Sequence, residues 1–137
     1  KELVWVNSLS FNKNLNLHYN YSNKVNTLYG SDNPVKDVVL FVNGEERFQV
    51  RNADYFRLMV PYQKHTRTPN NFIYVYSFAL NPEDFQPSGT CNYSRLNTSE
   101  MVINYAQGID SLITRIYATN YNMLNIVNGM GGLAYSN

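Results

Sequence analysis

"FIYVYSFAL", residues 72–80, is the stretch on which the fold turns. Large side chains recur at every second position, Phe72, Tyr74, Tyr76, Phe78 and Leu80, with smaller ones between them. Period two is the signature of a strand, and apolar residues on both faces predict one covered on both sides. Toward the C-terminus, "NPEDFQPSGT" (81–90) reads as an extended, turn-rich connection. "EMVINY" (100–105) then alternates again, with Met101, Ile103 and Tyr105 pointing one way. "SLITRIYATNYNMLNIVNG" (111–129) is the longest strand-like run, centred on 114–127. Its apolar positions are odd at Tyr117, Tyr121 and Met123, then even at Leu124 and Ile126. That change of phase predicts a β-bulge or a change of sheet. "GMGG" (129–132) reads as a flexible corner, followed by a short terminal strand at 133–136.

Toward the N-terminus the same reading continues. Asn52 is placed to cap a short helix near 53–59, stopped by Pro61, with "HTRTPNN" as loop after it. "VVLFVNGEER" contributes a strand at 38–43 that ends on Asn43-Gly44, a strong turn signal. "NTLYGSDNP" (26–34) is a loop. In "LNLHYNYS", Leu15, Leu17, Tyr19 and Tyr21 alternate with Asn16, His18, Asn20 and Ser22, which predicts a half-exposed strand at 15–21. Residues 3–6 form a short buried strand. Strands every dozen or so residues, with turn signals between them, predict an all-β sandwich.

Composition agrees. The 137 residues suffice for about one domain. Twelve tyrosines against one tryptophan, with abundant Asn, favour strands and turns. A net charge of +1, with Lys36, Arg47, Arg51, Arg57, Lys64 and Arg67 interleaved with acids, argues against a nucleic-acid face. No apolar run approaches the ~20 residues of a membrane-spanning helix. Lys1 opens without an initiator Met straight into Leu3-Val4-Trp5-Val6, the beginning expected of a piece of something longer.

Candidate chemistry is sparse. The single cysteine, Cys91, excludes an internal disulfide and a cysteine-based zinc site. As a nucleophile Cys91 would need His65 as base and Glu83 or Asp84 as orienting group. The better reading makes it a small packed hydrophobe at a corner, where Pro87 fixes φ and Gly89 opens turn conformations. Asp32, Asp37, Glu45, Glu46, Glu83 and Asp84 lack EF-hand spacing, so no metal site is expected. Gly129, Gly131 and Gly132 follow a strand with no helix after them, which argues against a phosphate cradle; no cofactor is expected. Asn20, Asn92 and Asn97 begin N-x-S/T triplets and are candidate glycosylation acceptors, with Asn20 favoured by its place on a polar strand face.

Four blocks carry a family resemblance: "KELVWV" (1–6), "YFRLMVPYQKHTRTP" (55–69), "YVYSFALNPEDFQPSGTCNYSR" (74–95) and "YATNYNMLNIVNGMGGLAYSN" (117–137). They resemble the C-terminal part of the major capsid proteins of large eukaryotic double-stranded DNA viruses, the mimivirus, phycodnavirus and iridovirus group. Residues 7–35 match poorly and suit a variable surface loop. The resemblance implies a structural, non-enzymatic protein with two tandem jelly rolls, of which residues 1–137 would be a partial C-terminal one, the N-terminal jelly roll being absent. It implies homotrimeric capsomers of pseudo-hexagonal outline in an icosahedral virion, contacting neighbouring capsomers and minor capsid proteins, assembled in the infected host's cytoplasm. The alternatives are a jelly-roll carbohydrate- or receptor-binding or minor virion protein, read from the tyrosines, and a cysteine hydrolase.

Overall fold

The apolar run after Lys1 becomes the centre of a sheet. In the computed structural model, which describes residues 1–24, 33–108 and 111–135, strand β1 (Glu2–Leu9) lies between two antiparallel partners. On one side is β4 (Ile73–Ser77), with Trp5 opposite Tyr74; on the other is β6 (Leu112–Thr119), with Trp5 opposite Ile116. A second antiparallel sheet has β2 (Val35–Val42) between β3 (Glu45–Asn52) and β5 (Ser99–Tyr105). A separate hairpin joins β7 (Leu124–Val127) to β8 (Met130–Leu133).

The aromatic stripe of residues 72–78 faces the core. Trp5, fully buried, stacks on Tyr74 at 5.6 Å and leans on Phe56 at 5.4 Å. Phe48 of β3 meets Phe56 and, at 4.8 Å, Tyr76, so rings from both sheets and the helix interlock. Val38, Met101 and Ile103 supply the second sheet's apolar side. Val75, on the opposite face of β4, is buried too, as the two-faced pattern predicts. A polar bridge also crosses between the sheets. Asn7 of β1 accepts from the hydroxyl of Thr114 at 2.7 Å, and Tyr105 of β5 bonds that hydroxyl at 2.7 Å.

Asn52 caps the helix as expected, its Oδ1 accepting from Asp54 N–H at 2.9 Å. Pro61 does not stop it. A π turn at Tyr55–Met59 runs into helix α2 (Val60–Lys64), with Val60 N–H reaching back to the Tyr55 carbonyl. The wider π turn relieves the proline ring, and Pro61 falls in α2's first turn, where an N–H is not needed.

The expected strand at 15–21 is absent. Helix α1 (Ser10–Asn14) leads instead into consecutive turns, with Asn16 at φ +58°. Asn12 donates to the Asn20 carbonyl at 2.9 Å, and Asn20 Oδ1 accepts from the Ser22 backbone at 3.1 Å and hydroxyl at 2.7 Å. Short polar side chains bonding the backbone locally displace a ladder there. Two further differences concern strands: β3 is not among the expected ones, and β8 occupies most of the "GMGG" corner. The run at 114–127 changes sheet, dividing into β6 and β7, as its change of phase predicts. The loop at 26–34 lies mostly outside the described residues, as does the end of the stub at 133–136, whose described part beyond Leu133 is bend.

Candidate assembly surface

The β7–β8 hairpin is closed by Asn128 (φ +52°) and Gly129 (φ +81°), the paired positive angles of a type I′ turn. Its base is clasped by Asn122, which donates to the Tyr135 carbonyl at 2.9 Å and accepts from Met123 N–H at 2.8 Å and Tyr135 N–H at 3.2 Å. Every residue of both strands is exposed, including Leu124, Ile126, Val127, Met130 and Leu133 at 64–75%. An isolated two-stranded hairpin is marginally stable in water, and a bare apolar surface of this kind marks a place for a partner. Gly131 and Gly132, within β8, leave one stretch of its surface without side chains, where another backbone can approach closely.

The sheets are open as well. β4 and β6 are the outer strands of one sheet, β3 and β5 of the other, among the described residues. On β6, Ile116 and Tyr117 are about half exposed. Unpaired edges of this kind template further strands.

A corner lies at the end of β4. Leu80 N–H donates to the Ser88 carbonyl at 3.3 Å, while the Ser88 hydroxyl both accepts from Asn81 N–H at 2.9 Å and donates to its carbonyl at 3.1 Å. Gly89 has φ +142°, and a Cβ there would sit 2.7 Å from the Phe78 carbonyl oxygen. Pro87 and Gly89 thus belong to a close approach of two backbones, and Cys91 is half-buried beside it.

Of the nucleophilic candidates, His65 and Glu83 do meet. His65 Nδ1 lies 3.2 Å from Glu83, and Nε2 lies 3.1 Å from Glu2. Nδ1 bonds Glu83 and Nε2 lies against Glu2 without a hydrogen bond, and no hydrogen bond among the described residues joins His65 to Cys91. The Thr66 N–H bond to Glu83 at 3.0 Å, foremost, and the Thr66 hydroxyl and His65 hold that carboxyl below its usual range. The cluster joins β1, the end of α2 and the 81–90 loop. It is a clasp. No group of three or more His, Cys, Asp or Glu able to hold a metal occurs among the described residues.

The glycosylation candidates separate. Asn20, expected on an exposed strand face, is 4% exposed and its carboxamide is engaged within its own turn. Asn92 is exposed but caps the Tyr93–Arg95 turn through Ser94. Asn97 is exposed, its backbone N–H held by Asn43 Oδ1 at 2.9 Å. That role of Asn43, tying the β2–β3 turn to the approach to β5, went unread, although its signal was the Asn-Gly pair itself. Asn128-Gly129 carried the same signal for the hairpin.

Two antiparallel sheets around an aromatic core, with an exposed apolar hairpin beside them, define a domain of the jelly-roll class. The chain belongs to the large eukaryotic DNA virus major capsid proteins, whose family model matches residues 1–132. It is 54% identical over 110 residues to the major capsid protein of Phaeocystis pouchetii virus, covering 77% of this chain and 21% of that protein. Identity to the major capsid protein of Paramecium bursaria Chlorella virus 1 is 40% over 118 residues, covering 70% of this chain and 27% of the relative. The fold superimposes on PBCV-1 VP54, from a crystal structure fitted into a cryo-EM reconstruction of the virophage Sputnik. The TM-score is 0.77 at 30% identity, over all of this chain and 43% of that one. The chain thus spans about a fifth to a quarter of the length of these two viral relatives.

Proposed function

We propose that residues 1–137 are the C-terminal jelly-roll portion of a capsid subunit whose work is assembly, not catalysis. Within the virion the subunit forms homotrimeric, pseudo-hexameric capsomers that tile an icosahedral shell in contact with minor capsid proteins, after assembly in the host cytoplasm. Neither nucleic acid nor a membrane span enters the reading; no helix among the described residues is long and apolar enough to cross a membrane. The observation that carries the proposal is the β7–β8 hairpin, whose apolar side chains are exposed on both strands. Burying them returns roughly 25 cal/mol per Å² of apolar surface, a gain reserved for the assembled state. The tyrosines behind the carbohydrate-binding alternative divide: Tyr74 is buried and Tyr76 half-buried within the core, while Tyr19, Tyr62, Tyr117 and Tyr135 are exposed on separate segments.

Met130 reports on this directly, being 75% exposed on β8. Peroxide footprinting followed by peptide mass spectrometry compares its oxidation rate in the chain alone with that in assembled shells. The expected result is oxidation at least about tenfold slower in the shell. Equal rates in the two states would refute a role for the hairpin in assembly.

A further inference from the structure

A second feature lies apart from the β7–β8 hairpin. Between α1, the turn that follows it and β6 lies a cavity of about 110 Å³, lined by Ser8, Asn12, Lys13, His18 and Arg115 together with the apolar Leu9, Leu17 and Ile113. By the measure of ~10–15 Å³ for one water, it holds several. We propose that it binds a phosphate-type oxyanion.

The charge balance points that way. Lys13 comes from α1, His18 from the turn and Arg115 from β6, so three separate segments bring nitrogen donors to one small concavity. No carboxylate lines it, and neither Lys13 nor Arg115 has an ion-pair partner among the described residues. Elsewhere on the chain cations do find acids: Arg57 pairs with Asp54 and His65 with Glu2 and Glu83. Two uncompensated cations at one cavity repel each other, and a bound anion turns that repulsion into attraction. The guanidinium fork of Arg115 suits two oxygens of a tetrahedral anion, and Lys13 supplies a point charge.

Asn12 shapes the wall. It is 2% exposed and donates through Nδ2 to the Asn20 carbonyl, which holds the turn that carries Leu17 and His18 against α1.

The test uses the capsid subunit that contains this chain, titrated calorimetrically with inorganic phosphate at low ionic strength. Saturable binding is expected. Lys13→Gln/Arg115→Gln should weaken it at least about tenfold while leaving the circular dichroism spectrum unchanged. If the double variant misfolds, the single Lys13→Glu variant on exposed α1 serves, with the same expected loss. A parallel arm offers vesicles of phosphatidylcholine with and without phosphatidic acid. Co-sedimentation that depends on phosphatidic acid and on Lys13 and Arg115 assigns the phosphate to a lipid headgroup, and binding of free phosphate alone assigns it to a soluble anion. No saturable heat and no vesicle binding, or undiminished binding by the variants, overturns the site.

Discussion

Replacing Gly89 by alanine puts a methyl group where the structure has no room for one. The new Cβ would lie 2.7 Å from the Phe78 carbonyl oxygen and 3.3 Å from Ala79 Cα, both backbone atoms at the end of β4. Neither can rotate away, so the 81–90 loop must lift from the strand. The backbone angle adds its own penalty, since φ +142° is closed to ordinary L-residues. Strain of this kind costs about 1–3 kcal/mol, and overpacking a further ~1–3 kcal/mol. Gly44 provides the internal control: its φ is also positive, at +83°, but a Cβ there meets nothing within 4 Å. Gly44→Ala should therefore cost only the conformational part, about 1–2 kcal/mol. The two variants should differ by about 1–4 kcal/mol, or on the order of 2–16 °C in unfolding midpoint at ~2–4 °C per kcal/mol for a domain of about this size or larger. Scanning fluorimetry measures the gap, and hydrogen exchange at Leu80 and Asn81, whose amides bond Ser88, localises it. If Gly89→Ala melts no lower than Gly44→Ala, the corner is looser than described and the argument from close approach fails.

Trp5→Ala, which empties the centre of the aromatic core, should cost about 3–5 kcal/mol in denaturant unfolding; a loss below ~1 kcal/mol would show that the core is not organised on that ring. Cys91→Ser, at a half-buried position, should cost less than about 1 kcal/mol and leave capsomer formation intact by light scattering. A variant that folds but no longer assembles would contradict a packing role. Glu83 has a folded pKa below its unfolded value near 4.5, so its stabilisation is complete above that value and is lost as pH falls through the lower folded one. Glu83→Gln should therefore flatten the dependence of the melting midpoint on pH as pH falls below about 4.5; parallel curves for variant and parent would remove Glu83 from the clasp.

The core was legible because its alternation is unusually pure. Phe72 to Phe78 announces a strand whatever lies around it, and Trp5 beside Val4 and Val6 announces another. The change of phase near Met123 marked the point where the chain leaves one sheet for a separate hairpin. β3 was hidden because its residues are almost all exposed, with Phe48 alone reaching the core among glutamates and arginines. Residues 15–21 satisfied period two equally well, but Asn12, Asn20 and Ser22 gave the backbone nearer partners than another strand. Periodicity records which side chains could share a face; it does not record which carbonyls a neighbouring asparagine will reach first. The cavity beside Lys13 had no sequence signal, since its cations are about a hundred residues apart and meet only through β6.

The strand at the middle of the first sheet meets its partners late. Glu2 sits opposite Ser77 on one side and Thr119 on the other. During synthesis at roughly 10 residues per second, the far partner leaves the ribosome about 12 s after β1 does. Until β4 follows, about 7 s after β1 at that rate, Leu3, Val4, Trp5 and Val6 lack both of these partners, and non-local pairing of this kind is slow to close even when a partner arrives. The newborn chain is thus adhesive before it is folded. Its yield of folded product depends on how that waiting time is shielded, and a holdase-type chaperone that binds extended apolar segments would act on this strand first.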